Sequence, residues 1–342
     1  MHRYIKAVGA GARRARDLTS DEARAAMALV CDGAEPVQVG AFLLALRMKG
    51  ESADELSGFI EALHAHTARA AAPAGTVDVD CHGDGHAGRP TLLPAAACAA
   101  AALGVPVALR CDLQNGYARH GLAAALGALG LDLARPLTPA RAARALAAGR
   151  LAVIDLQPTC PPLARLLALR PLLGVRTVAQ TLSKLLDPLS ASARVVGVFH
   201  SPFLPSTATA LARVSPARGL AVQALGGLPE ARPGKLVRVA YANAPEPVPL
   251  DLRSLAGAPD LTEPGSAPSA DNEDGPDASD AAVRENRAAL DGEEPHALAA
   301  AATCALLLHA ARGTPILDAV GEARQALADG RAKAAALAFA SA

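Results

Sequence analysis

Tryptophan is absent from the 342 residues, and there are only three tyrosines and five phenylalanines. A platform that stacks successive unpaired bases needs several rings on one surface, so that class of nucleic-acid reader is excluded. The six cysteines (Cys31, Cys81, Cys98, Cys111, Cys160, Cys304) form no CxxC pair. A chain this long needs no disulfide staples, so reduced thiols and a cytoplasmic setting are expected. No apolar run is suited to a bilayer: residues 92–109 are interrupted by Pro94, Gly104 and Pro106, and residues 297–311 are too short. Residues 1–17 carry Arg3, Lys6, Arg13, Arg14 and Arg16 without the apolar stretch of a secretory leader. No membrane partner is expected.

Net charge is also missing, with 33 basic and 33 acidic side chains, but the balance is uneven along the chain. Residues 73–250 hold 17 basic and 9 acidic side chains, a net of +8, whereas residues 251–300 hold 3 and 12, a net of −9. The 51% hydrophobic content supplies a packed core and rules out wholesale disorder.

The first seventy residues read as a helical bundle. Thr19 with Glu22, and Ser52 with Glu55, are capping boxes, and Pro36 opens a helix that ends at Gly50. That middle helix is apolar nearly all round, so it should be covered on several sides, one of them by a second subunit. After a Pro/Gly joint at residues 71–75, short β-type runs alternate with Ala-rich helices. Strands are expected at 76–80, 105–110, 151–156, 195–199, 219–224 and 235–241. Helices are expected at 92–103, 121–129, 138–148, 297–311 and 316–327. The fold class is therefore α/β: an N-terminal helical, dimerising domain over 1–72, and an α/β domain over 73–342 with a mostly parallel central sheet. Residues 256–295, rich in Pro, Ser, Asp and Glu, read as a solvated acidic loop.

Gly83-Asp84-Gly85-His86-Ala87-Gly88 matches G-x-G-x-x-G between a strand and a helix. Such a turn can present backbone N–H groups to a phosphate, or it can be a tight turn needing positive φ, with Asp84 opposing any phosphate. Cys81, His82 and His86 lack a fourth ligand for a zinc site, so no metal is expected there.

Residues Tyr4-Ile5-Lys6-Ala7-Val8-Gly9, Arg16-Asp17-Leu18-Thr19, the run 38–51 and Leu173-Gly174-Val175-Arg176-Thr177 resemble the anthranilate phosphoribosyltransferase family. The resemblance continues through the closing helices, from Arg284-Glu285-Asn286 to Gly330. It implies a helical domain joined to a parallel-sheet domain, pairing through the helical domain, a GTGGD loop for phosphoribosyl pyrophosphate, and an Asp-Glu pair for Mg2+. This chain offers Cys81-His82-Gly83-Asp84-Gly85 for the loop and Thr91-Leu92-Leu93-Pro94 for the helix start that follows. Arg110-Cys111-Asp112-Leu113-Gln114 stand for the family's KHGNR, and Glu230 is the sole carboxylate near the Mg2+ position. Arg170 falls where the family grips the anthranilate carboxylate.

Residues 47–51, 161–163, 173–176 and 181–185 look most like the YbiB-type branch, which keeps the fold, lacks the substrate motifs and binds nucleic acid. The leading expectation is accordingly a homodimer without catalysis or cofactor. It would bind nucleic acid, DNA in particular, through Arg110, Arg119, Arg165, Arg170, Arg176 and Lys184, beside a phosphate-loop remnant at Gly83, Gly85 and Gly88. The alternative is a transferase that moves a phosphoribosyl group to an anionic aromatic acceptor, with Mg2+.

Overall fold

A computed structural model describes the chain apart from residues 12, 86–88, 115, 119, 132, 134–136, 150, 216–217, 232, 256–277 and 341–342. Four helices open it: α1 (His2–Val8), α2 (Ser20–Cys31), α3 (Pro36–Lys49) and α4 (Ala53–His64). Both capping boxes form as read, each hydroxyl accepting from the third backbone N–H and each glutamate returning the bond. Glu55 does more than cap. It is fully buried, and its carboxylate accepts from Leu18 N at 2.9 Å, Ser52 N at 2.9 Å and Lys49 Nζ at 2.8 Å. One carboxylate thereby ties the entry to α2 and the end of α3 to the start of α4.

The all-round apolar α3 buries Val39, Phe42, Leu43 and Leu46 and leaves Val37 and Met48 77% and 87% exposed. The helical layer extends beyond residue 72. Leu156, Leu163, Val178, Leu182 and Leu185 share one hydrophobic cluster with α1–α4 and with the sheet face carrying Val196 and Ala221.

Seven strands form one sheet: β1 (Val77–Asp80), β2 (Val107–Cys111), β3 (Leu151–Asp155), β4 (Ala193–Val198), β5 (Arg218–Gln223), β6 (Leu236–Tyr241) and β7 (Ala244–Asp251). Their order is β3-β2-β1-β4-β5-β6-β7, parallel from β3 to β5 and antiparallel beyond. β7 was not expected, because Pro245, Pro247 and Pro249 forbid a central strand. Pairing on one side only, with β6, it has a free side for imino nitrogens. On the other sheet face the helix α5 (Leu93–Ala102) is almost wholly buried, packed with helix His296–Arg312 in a second cluster.

The acidic stretch is not all loop. Helix Ser279–Leu290 occupies its later part and buries Ala282, Ala289 and Leu290, an apolar stripe hidden among charged neighbours, together with the hydrogen-bonded Asn286, while residues 256–277 lie outside the described residues. Among the described residues no single helix is long and apolar enough to cross a bilayer.

Replacing Glu55 with Ala strands two buried backbone N–H groups and takes one of two carboxylate partners from Lys49, which keeps Asp17. We expect a loss of about 3 kcal/mol, read as a lower urea midpoint with unchanged slope.

Candidate functional site

The site is built outward from β1. Its Val-Asp-Val-Asp sequence places Asp78 and Asp80 on one face, since side chains alternate along a strand. The parallel register sets Arg110 of β2 beside Asp80 and Arg194 of β4 beside Asp78. All four side chains are buried.

Arg110 Nε donates to both Asp78 oxygens at 3.1 Å, and its terminal nitrogens donate to the carbonyls of Ser183 and, at 2.9 Å, Lys184. Arg194 donates to Leu185 O at 2.9 Å and Leu186 O at 2.6 Å. The two guanidinium groups thus serve the orphan carbonyls at the end of helix Val178–Leu185, where cations also meet the negative pole of the helix. Lys184 Nζ is spent on Asp80 Oδ2 at 3.1 Å and on the carbonyls of Gly197 and Gly227 at 2.7 and 2.6 Å. Burial alone would raise the Asp80 carboxyl, but Lys184 and the His82 hydrogen bond hold it well below the usual carboxylate range.

The glycine loop is structural. A Cβ on Gly83 would lie 2.6 Å from Gly226 O, and Gly85, at φ +74°, abuts His120. Gly85 N donates to Gly226 O at 3.2 Å, so this turn seals against residues 226–227 instead of opening as a phosphate cradle. The start of α5 is equally occupied. Leu92 N donates to Glu230 Oε1 at 2.8 Å, Leu93 N to Thr91 Oγ1 at 3.2 Å, and Ala95 N to Asn286 Oδ1 at 3.0 Å. A phosphate there would find its donors taken. Gly88 lies outside the described residues.

Arg170, at the start of the short helix Arg170–Leu173, and Arg176, in the turn before helix Val178–Leu185, converge on Asp84. Arg170 Nη1 donates to both Asp84 oxygens at 2.9 and 2.8 Å, and Arg176 stands 3.5 Å away. The Arg170 guanidinium also lies 3.6 Å over the Tyr117 ring centroid.

This cluster separates two cavities that share Gln180. One, of about 150 Å³, has Arg47, Arg176, Lys184 and Glu51 as its charged lining. The other, of about 360 Å³, has Asp84, Asp112 and Arg170. Burial pushes the Arg176 guanidinium down from its ordinary value, only partly offset by Asp84 and aggravated by Arg170 and Arg47. Sequence reasoning missed Arg47 as a cleft residue, Tyr117 as a stacking partner and Asp84 as a counterion. The one available signal was an aspartate among glycines, where an anion was expected to bind.

A helical bundle joined to a mostly parallel α/β sheet, with charge gathered at the strand ends, defines a class of group-transfer fold, and comparison with known proteins identifies it. Residues 2–67 match the glycosyl transferase family, helical bundle domain, and residues 75–333 match the glycosyl transferase family, a/b domain. The chain belongs to this family.

Among its relatives is the anthranilate phosphoribosyltransferase of Methylobacterium radiotolerans, 37% identical over 210 residues, which are 61% of this chain and 60% of that protein. The match thus spans about three fifths of that relative's length. The Synechococcus enzyme of the same name is 35% identical over 253 residues, 71% of each chain. The crystal structure of the Thermus thermophilus anthranilate phosphoribosyltransferase superposes with a TM-score of 0.80 at 27% identity, covering 99% of both chains.

These findings overturn the expectation of a nucleic-acid partner, DNA in particular, since the relatives carry the name of a phosphoribosyl-transferring enzyme. The structure supplies the physical reason. Arg110 and Lys184 are buried and saturated, and Arg170 is clamped to Asp84. Of the five described cations expected to meet phosphates, only Arg165 is exposed, reaching Cys31 O at 3.5 Å, and Arg119 lies outside the described residues. A surface track for a polyanion needs exposed donors in series.

Among the described residues the Mg2+ that the family implies finds no fitting set. Glu230 is committed to Thr91 Oγ1 and Leu92 N, Pro229 precedes it, and among the described residues no group of three His, Cys, Asp or Glu side chains could hold a metal ion.

Asp80→Asn should cost about 3 kcal/mol at pH 7 by leaving Lys184 without its carboxylate. Because the folded carboxyl titrates below its unfolded value, its contribution is complete above about pH 5 and fades as the pH falls further. The gap between wild type and variant in denaturation midpoint should therefore narrow in acid.

Proposed function

We propose that this chain is a phosphoribosyl transferase that passes a phosphoribosyl group from a diphosphate-bearing donor to an aromatic acceptor. The observation that carries the reading is the under-compensated charge of Arg176. A partly buried guanidinium whose nearest anion is already bound to Arg170 would be relieved by an incoming anion.

The smaller cavity has the sign for the donor: Arg47 and Arg176, beside the already paired Lys184, stand against Glu51, whose own carboxyl burial pushes up. The neighbouring cavity, under Arg170 and Tyr117, then takes the acceptor. In the transfer, the acceptor nitrogen bonds to the sugar C1 as the C1–O bond breaks. The diphosphate departs with that electron pair and takes up the proton the amine loses. This chain's residues orient the two partners and neutralise the leaving group, and no step runs through a metal.

The likeness of residues 47–51 and 181–185 to the YbiB-type branch is kept as a proposal about descent only; Arg47 then belongs to the anion seat. A reducing, cytoplasmic setting is part of the same reading, supported by six free and buried cysteines.

Calorimetry with phosphoribosyl pyrophosphate, with and without Mg2+, tests the proposal. Binding in the micromolar to millimolar range is expected, weakened at least about tenfold by Arg176→Ala. No heat and no thermal shift at millimolar donor would reject it.

A further inference from the structure

The larger cavity has the wrong sign for the acceptor that its arginine suggests. Arg170 is the only cation on its described wall, and it faces two carboxylates, Asp84 and Asp112. Both Asp84 oxygens are on its Nη1, and its guanidinium face is taken by the Tyr117 ring. The seat where a bound carboxylate would sit is filled by a carboxylate from the protein's own loop.

Two further groups on the wall, His82 and Asp112, ask for donors. Asp80 can only accept, so the 2.9 Å contact from His82 Nδ1 puts the ring proton on Nδ1 and leaves Nε2 as a lone pair. That atom is buried and has no partner, and His82 belongs to the cavity wall. Asp112 adds a further acceptor on the same wall, and the Gln157 amide carries an acceptor oxygen beside its donor NH2.

We infer that Asp84 is a specificity-determining residue that excludes carboxylate-bearing acceptors and selects an uncharged aromatic amine whose polar edge donates hydrogen bonds. The inference rests on the transferase reading for the name acceptor, but the charge selection is a property of the cavity itself. A second carboxylate entering beside Asp84 meets a like charge in a confined space, whereas an amide of the same shape meets acceptors. Replacing Asp84 with Asn keeps the size and a hydrogen-bonding group and returns Arg170 to an incoming anion.

The test titrates wild type and Asp84→Asn with two isosteric probes, 2-aminobenzoate and 2-aminobenzamide. Wild type should bind the amide at least about tenfold more tightly, and Asp84→Asn should shift the ratio toward the carboxylate by a similar factor. The inference is overturned if wild type prefers the carboxylate, if the ratio is unmoved in the variant, or if neither probe binds either protein. Should the variant fail to fold, the wild-type ratio decides alone. Titration with phosphoribosyl pyrophosphate keeps the two readings apart. A silent donor with a shifted ratio removes the transferase and leaves the selectivity; a bound donor with a flat ratio does the reverse.

Discussion

Everything in the cleft depends on the packing of opposite charges beneath it. Asp78 and Asp80 on β1, Arg110 on β2, Arg194 on β4 and Lys184 on the facing helix form a buried lattice in which each charge has a partner and most donors an acceptor. Removing any one member leaves a charge in low dielectric, so the group persists as a unit or fails as one. The lattice also holds helix Val178–Leu185 by its last carbonyls, which fixes the direction of its first turn. That first turn lines the smaller cavity. A strand register buried inside the sheet is in this way connected to a cavity wall.

The cleft itself shows what replacing a loop does to the polarity of a site. The chain keeps the family's fold, but the turn after β1 packs glycine to glycine against residues 226–227, and the start of α5 draws its hydrogen bonds from Glu230 and Asn286. Positive charge lies on the other side of Gln180, with Arg47 and Arg176, while Asp84 gives the acceptor side a negative cast. Two adjoining cavities of opposite sign suit two reactants of different charge.

Local signals in the sequence carried the architecture well. Both capping boxes, the glycine stops and six of the seven strands were legible because each rests on a short-range rule: a side-chain oxygen three residues from an N–H, or a run of β-branched residues between turns. β7 was hidden by its prolines, and helix Ser279–Leu290 by its charges, since one needs knowledge of an edge and the other of a stripe. At the site, Arg170 and Arg176 were legible as cleft residues, whereas Arg110 and Lys184 looked like surface cations. Their burial follows from pairing between residues 32 and 104 positions apart, which no local pattern encodes. The aspartates two apart in β1 were the available warning, because a central parallel strand buries both faces and must find counterions for them.

The place of β1 in the sheet bears on how the chain comes into being. It lies between β2 and β4, yet some eighty residues, β3 among them, separate β2 from β4 along the chain. While the chain is being synthesised, Asp78 and Arg110 can meet early, but one flank of β1 stays unzipped, and Asp80 lacks Lys184, until the latter half of the protein emerges. An unfinished polypeptide therefore displays a bare hydrogen-bonding edge next to an acid that still lacks its lysine. The polar face of β1 disfavours adhesion to other strands during that interval, a safeguard contributed by the same two aspartates that later organise the cleft.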